Sequence, residues 1–282
     1  MNIAVASGKG GTGKTTIATN LSTYLSEHNN NICYLDCDVE EPNGHLFLKP
    51  QFHTILPANI PVPSIDETKC NSCGECVRFC EYRALVRLGK MVMVFSELCH
   101  GCGGCTLLCS QLAITEVEKQ IGVVEAGFSG NIKFVHGRLN IGEAMSPPLI
   151  RKVLEQATKE SINIIDAPPG TSCPVIASIR NADFVVLVTE PTPFGLNDLG
   201  LALDMVRELG VPHGVVINRA ETGNSDAQEF CQNRQVGIIA EILEERNVAE
   251  AYSRGEMIVK TVPGLHGKFA EIWTNLQKQV RL

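Results

Sequence analysis

The segment Gly8-Lys9-Gly10-Gly11-Thr12-Gly13-Lys14-Thr15 concentrates residues able to do chemistry, and its spacing is that of a phosphate-binding loop. Glycines let backbone N–H groups converge on phosphate oxygens, and a helix starting at the end of the loop adds its dipole. Lys14 is placed to reach the β and γ phosphates and Thr15 to ligate magnesium, with Thr16 in the same helical turn. Asp166 closes the apolar run 162–165 and precedes Ala167-Pro168-Pro169-Gly170, a turn that cannot continue a strand. Asp36 and Asp38 follow another apolar run, 32–35. In open α/β sheets, ligands bind at the carboxyl ends of strands, so Asp166 is expected to support a nucleotide-bound magnesium and Asp36 and Asp38 to face the same edge. The competing reading of each aspartate is a solvated strand end or a helix cap.

Cysteine forms the second concentration, with twelve in the chain and eight of them within forty residues. Cys70, Cys73, Cys76 and Cys80 repeat as Cys99, Cys102, Cys105 and Cys109 at an offset of 29 residues. This C-x2-C-x2-C-x3-C spacing is that of bacterial two-cluster ferredoxins, where the fourth cysteine of each run ligates the other run's cluster. The expected sets are Cys70, Cys73, Cys76 with Cys109, and Cys99, Cys102, Cys105 with Cys80, each around a [4Fe-4S] cluster. Zinc is the alternative for four thiolates, but it is usually held by two C-x2-C hooks. Glu81 and Ser110 stand where such runs commonly have proline, which affects loop rigidity rather than ligation. Cys33, Cys37 and Cys231 read as small buried hydrophobes, and Cys173 as an inert thiol at a capped helix start.

Both constellations need a scaffold. Apolar runs at 2–7, 32–35, 132–135, 162–165, 184–188 and 215–217 are mostly separated by stretches long enough for crossover helices. The pattern predicts an α/β fold with a doubly wound, mostly parallel sheet, and a helix over 14–27 directly after the glycine loop. Ser146-Pro147-Pro148 marks another helix start, with serine as cap. The alternation breaks between about Pro57 and Val117. The cysteine segment, 58–117, is therefore expected to be a small α+β domain of bacterial-ferredoxin type, inserted into a larger domain of residues 1–57 and 118–282. So short a segment buries little core by itself, and two clusters would supply the missing stabilisation.

The 282 residues are 44% hydrophobic and 20% charged, which excludes a disordered chain. A formal charge of -7 disfavours a nucleic-acid partner. No apolar stretch is long enough to span a bilayer, so no integral membrane segment is expected. The start of the chain resembles no secretion signal, and twelve cysteines suit a reducing compartment, so the expected location is cytoplasmic.

With Lys9 as an additional lysine, the loop Lys9-Gly-Gly-Thr-Gly-Lys14-Thr-Thr resembles the deviant Walker A loop of the MinD, ParA and nitrogenase-iron-protein superfamily. The resemblance extends through Asp36-Cys-Asp38, Asp166-Ala-Pro-Pro-Gly170, Thr189-Glu-Pro-Thr, Val216-Ile-Asn218-Arg219 and Tyr252-Ser-Arg-Gly-Glu. With the cysteine segment included, the chain resembles MinD-like P-loop ATPases that carry an inserted ferredoxin domain. The resemblance implies an ATP- and magnesium-dependent ATPase that dimerises around nucleotide, as a homodimer or with a paralogue. It implies that Lys9 reaches the partner's phosphates, Asp38 positions the attacking water, Asp36 and Asp166 hold the magnesium shell, and Asn218 bonds the adenine edge. Ala240 departs from the Ile-Pro common in such chains, which bears on contacts near the base. Cys173 has a counterpart in the nitrogenase iron protein, but no second cysteine lies near 127–133 to complete a subunit-bridging cluster. MinD itself ends in a membrane-seeking helix, whereas the stripe Phe269, Ile272, Trp273, Leu276 and Val280 fits a final packing helix.

Three functions are expected to compete. In the leading one, nucleotide state controls the two-cluster insert and so electron transfer with a partner protein. In the second, the chain is a spatial-organisation or assembly ATPase whose clusters are structural or sensing. In the third, it is an iron–sulfur carrier or maturation factor, although the C-x-x-C that such relatives bear near the C-terminus does not occur after Cys173.

Overall fold

The computed structural model describes all residues except 29, 30, 222, 224, 281 and 282. Its strands are β1 (Asn2–Ala6), β2 (Ile32–Asp36), β3 (Gln51–Ile65), β4 (Leu85–Leu88), β5 (Met91–Val94), β6 (Ile114–Ser129), β7 (Ile132–Leu139), β8 (Ile162–Asp166), β9 (Phe184–Thr189), β10 (His213–Ala220) and β11 (Ile238–Leu243). Its α-helices are α1 (Lys14–Glu27), α2 (Gly44–Leu48), α3 (Glu75–Phe79), α4 (Gly104–Leu108), α5 (Pro147–Leu154), α6 (Cys173–Ile179), α7 (Pro193–Glu208), α8 (Asp226–Asn233), α9 (Arg246–Ser253), α10 (Ile258–Thr261) and α11 (Leu265–Val280).

Nine strands form one sheet in the order β11-β10-β9-β1-β8-β2-β7-β6-β3. Every pairing from β11 to β7 is parallel, and the β7–β6 and β6–β3 pairings are antiparallel, so that β6 alone runs against the rest. The parallel strands are apolar on both sides because helices cover both. On one face Ala4, Leu35, Leu187 and Ile217 pack with Val153 of α5, Val175 of α6, Leu203 of α7 and Cys231 of α8. On the other, Ile3, Tyr34, Val186 and Val216 pack with Leu21 of α1 and Phe269, Ile272 and Leu276 of α11. The last helix is thus core packing, with Trp273 and Val280 on its margin. Cys33, Cys37 and Cys231 are buried as expected of small hydrophobes, while Cys173 is exposed at the start of α6. Among the described residues, no helix is long and apolar enough to cross a membrane.

Two local expectations need correction. Ser146 stands at the N-cap of α5 but has right-handed helical dihedrals, and its side chain makes no capping bond. Ser172 before α6 likewise makes none. The prolines of 57–63 are not a break but part of β3, which spans both sides of the expected boundary at 57/58. They are tolerated because β3 is an edge strand, where an outward-facing position needs no N–H. β6 crosses the other expected boundary, 117/118, in the same way.

β3 and β6 pair along their whole length, from Gln51↔Phe128 to Ile65↔Ile114, whereas β7 pairs with β6 only from Gly122 onward. The ribbon therefore overhangs the sheet, and the cysteine lobe hangs from its far end. Within the lobe the sequence repeat is also a backbone repeat. Left-handed conformations recur at Ser72 and Gly101, Gly74 and Gly103, and Arg83 and Leu112. The halves close by exchange: Phe95 N–H donates to Ala84 and Asp66 N–H to Ala113. A small core of Leu85, Val92, Cys105 and Ile114 lies between them.

Candidate functional site

β1 leads straight into the glycine loop, and α1 begins at Lys14 behind Gly13, whose φ is 88°. That left-handed conformation and the close Asn218 amide leave no room for a Cβ at Gly13. Gly8 is equally constrained, since its α-carbon faces the Asp198 backbone of α7. Gly11 is also left-handed but has open space around it. Ser7, Gly10, Gly11, Gly13, Lys14, Thr15 and Thr16 line one wall of a cavity of about 680 Å³. Asp38, Glu41 and Asn43 form a second wall, and Asn218, Arg219, Glu245, Arg246 and Tyr252 a third. The buried Thr12 Oγ1 and Asn43 Oδ1 have no hydrogen-bond partner among the described residues. Asn43 lines the cavity, and its Oδ1 is an acceptor that a polar ligand would satisfy.

The parallel register sets Asp36 directly beside Asp166, both fully buried. Lys14 Nζ donates to Asp166 Oδ1 at 3.2 Å, and the Tyr34 hydroxyl donates to Oδ2 at 2.8 Å. Asp36 accepts from the backbone N–H groups of Asp38, at 3.2 Å, and Gly44, at 2.9 Å. Burial and then the neighbouring Asp166 charge push the Asp36 carboxyl up to about 8. Burial likewise raises half-buried Asp38 to about 6, against the opposing pull of Lys14. Burial would lower Lys14, but the charges of Asp166, Asp38 and Asp36 outweigh it and hold the ammonium above its usual value. Crowded carboxylates with one lysine form a site that a divalent cation would complete. Thr15, Asp36 and Asp166 thus fit magnesium on the chemistry of the donors.

Lys9 turns within its own chain toward Glu190, at 3.8 Å, and Glu190 also receives Arg219 at 2.8 Å. Asn218 reaches the loop, donating to the Thr12 carbonyl at 2.8 Å. Tyr34 was not singled out from the sequence, because a strand tyrosine carries no mark of its partner. Glu41, Asn43 and Glu245 carried no motif either.

The cysteine lobe holds two further cavities. Cys80, Cys99, Cys102 and Cys105 line one, of about 400 Å³. Cys70, Cys73, Cys76 and Cys109 line the other, much smaller at about 30 Å³. Each cavity therefore gathers three cysteines of one run and the last of the other. Backbone N–H groups of Ala84, Gly101 and Ala113 point at the sulfurs of Cys80, Cys99 and Cys109, at 3.3, 3.4 and 3.4 Å. Among the described residues no group of three or more His, Cys, Asp or Glu could hold a single metal ion. Four thiols lining each cavity, some met by backbone N–H groups, are a donor set that suits an iron–sulfur cluster.

The nucleotide site is in contact with the ribbon that carries the lobe. Asp36 holds the first residue of α2, whose His45 lies against His136 of β7, ring centroids 5.5 Å apart. His136 Nε2 is 2.8 Å from Glu125 Oε2 of β6, and Ser129 Oγ donates to the Leu48 carbonyl. Burial lowers the His136 imidazole, with the Glu125 carboxylate opposing.

A family model described as the CobQ/CobB/MinD/ParA nucleotide binding domain matches residues 3–259. The chain is 33% identical over 269 residues to the uncharacterized protein MJ0579 of Methanocaldococcus jannaschii, covering 92% of each. An iron–sulfur cluster carrier protein of Aquifex aeolicus is 25% identical over 276 residues, 93% of this chain but 62% of that protein's length. Among solved structures, the septum site-determining protein MinD of Pyrococcus horikoshii, complexed with Mg-ADP, matches with a TM-score of 0.62 at 19% identity, covering 98% of this chain and 96% of that one.

Proposed function

Because this chain belongs to the CobQ/CobB/MinD/ParA nucleotide-binding family of P-loop ATPases, we propose that it is a magnesium-dependent, dimerising ATPase whose nucleotide state controls a two-cluster ferredoxin-like lobe for electron transfer with a partner protein. The observation that carries the reading is the pair of cavities, each ringed by four cysteines in the crossed pattern. They hang on a ribbon tied through Glu125, His136 and α2 to the Asp36 of the nucleotide site.

In this reading the N–H groups of Gly10 to Thr15 cradle the phosphates, and Lys14 exchanges Asp166 for them. Magnesium, held by Thr15 with Asp36 and Asp166 behind it, supplies charge neutralisation at the phosphoryl oxygens. Asp38, which lines the same cavity as the loop, orients the attacking water. Lys9 leaves Glu190 for the phosphates bound by a second subunit. Asn218 is the contact to the base. The clusters, when bound, supply one-electron chemistry. The chain's part is to hold them with eight thiolates and to aim backbone N–H groups at their sulfurs.

A redox titration without nucleotide, with MgADP and with a non-hydrolysable MgATP analogue tests the coupling. Curves that shift with the analogue support the reading, and superimposable curves refute control of the potential. The names of relatives favour a second reading, an iron–sulfur carrier. It predicts ATP-stimulated transfer of clusters to an apo-acceptor, whereas an electron-transfer protein keeps its clusters through turnover.

A further inference from the structure

The repeat that relates the two cysteine runs also allows the surroundings of the two cluster sites to be compared position by position. The site of Cys99, Cys102, Cys105 and Cys80 is the inner one. Pro61, Pro63 and Glu116 of the ribbon line its cavity. Cys99 packs against the main core of the sheet, and a Cβ on Gly101 would meet the Pro61 carbonyl at 3.2 Å. The site of Cys70, Cys73, Cys76 and Cys109 is the outer one, backed by Ile65, Val92 and Ile114 at the ribbon's end.

Gly74 and Gly103 are counterparts, each directly after the second cysteine of its run and each left-handed. A Cβ on Gly103 would stand 3.0 Å from Glu116 Oε1. A Cβ on Gly74 would stand 3.6 Å from Arg87 Nη1. Arg87 and Glu116 are themselves counterparts, 29 residues apart, on β4 and β6. One position in the repeat therefore places a guanidinium beside the outer site and a carboxylate beside the inner. Arg87 is fixed there, since its Nη1 donates to the Ser72 carbonyl at 3.0 Å. The residues after the fourth cysteines differ in the same sense: Glu81 lines the inner cavity and Ser110 the outer. Lys90 and Lys119, by contrast, are matching charges, and Lys119 is paired with Glu143 at 2.7 Å.

Burial acts in the same direction. Cys105 of the inner site is 9% exposed and buried, whereas its counterpart Cys76 is only partly so. Two features oppose: the inner site has backbone N–H groups on Cys80 and Cys99 where the outer has one on Cys109, and Glu75 lines the outer cavity where its counterpart is Gly104, although its charge is offset by the ion pair with Arg78. Arg78 is shared, lining the inner cavity while paired to Glu75 and donating to the Cys73 carbonyl of the outer loop. A single extra neutral hydrogen bond is weaker than a reversal of full charge at one position, so charge decides.

We infer that the two cluster sites have unequal potentials, with Arg87 raising the outer and Glu116 lowering the inner, so that the first electron from a one-electron donor rests on the outer cluster. This inference rests on the two-cluster reading above. Each step moves one electron: the donor is oxidised and one cluster is reduced, the outer before the inner. Both side chains are exposed and screened, which holds the expected occupancy ratio to about tenfold, or about 59 mV for one electron.

The experiment is an EPR-monitored titration with dithionite of anaerobically reconstituted full-length protein, alongside Glu116→Gln and Arg87→Gln. Iron and sulfide content is measured on each sample first. The wild type should titrate in two steps, Glu116→Gln should raise only the lower, and Arg87→Gln should depress only the upper. Iron and sulfide short of two clusters in the wild type refutes the cluster reading, and this inference with it. Two clusters that titrate together, or a Glu116→Gln substitution that moves the upper step, overturn this inference and leave the cluster reading standing.

Discussion

Binding of MgADP should expel close to one proton at pH 7. Asp36 in the nucleotide-free protein is pushed up to about 8, first by burial and then by the Asp166 charge. At pH 7 such a group is about 90% protonated, and at pH 9 about 10%. A divalent cation beside it, and departure of Lys14 toward the phosphates, favour the ionised carboxylate. Release should therefore be about 0.9 proton at pH 7 and about 0.1 at pH 9, with affinity rising nearly tenfold per pH unit below pH 8. The assay is calorimetric titration in buffers of differing ionisation enthalpy, repeated on Asp36→Asn to subtract the nucleotide's own protons. The sign follows from occupancy: the free protein holds the extra proton, so higher pH favours the complex. The same group lowers the free protein's stability as pH rises from about 4 to about 8, because unfolded Asp36 ionises near 3.8 while the folded carboxyl still keeps its proton. Equal proton release at pH 7 and 9, or the same release from Asp36→Asn, would refute the reasoning.

The crossed ligand sets predict a pattern of iron content: Cys80→Ala with Cys99→Ala should leave one cluster, and Cys80→Ala with Cys70→Ala none. The opposite result assigns each run to its own cluster. Tyr34→Phe strips the buried Asp166 Oδ2 of its donor and should cost about 1–3 kcal/mol, seen as a lower Tm in the nucleotide-free protein. An unchanged Tm means that the hydroxyl contributes nothing there. Gly13→Ala forces a Cβ onto a left-handed residue and into the Asn218 amide, so MgADP binding should be lost while far-UV circular dichroism is kept. Normal affinity would show that the loop relaxes. Phe269→Ala empties a fully buried position under α11 and should cost about 3–5 kcal/mol in chemical denaturation, and a loss below 1 kcal/mol would place the ring outside the core.

The glycine loop and the parallel strands were legible because each is a local rule. The loop needs only glycine, lysine and threonine at fixed spacing, and buried parallel strands need only apolar runs. The β3–β6 ribbon was hidden because the apolar alternation breaks at about Pro57, and Pro57, Pro61 and Pro63 fit a strand only through its place at the sheet edge. The partners of Lys9, Tyr34 and Asn218 were hidden for another reason. Glu190, Asp166 and the Thr12 carbonyl lie 181, 132 and 206 residues away, and only the register of the finished sheet brings them close. The inner and outer placement of the two cysteine runs was invisible to spacing, since the repeat treats them alike.

The overhang of the ribbon makes it a cantilever. Residues 114–118 of β6 are paired to β3 but lie beyond the reach of β7 and of the loop after it, which holds Lys119 through Glu143 and Ile121 through the Asn140 N–H, a free length of about 17 Å at strand rise. Its root is at Lys119 and Ile121, and behind that root Glu125 and Ser129 are gripped by His136 and α2. A tilt of about 10° at the root would carry the end of the ribbon about 3 Å. The nucleotide site would then need no large rearrangement of its own to bring the lobe into or out of reach of another protein. Its leverage comes from the length of two strands and from the stiffness of the hydrogen bonds between them.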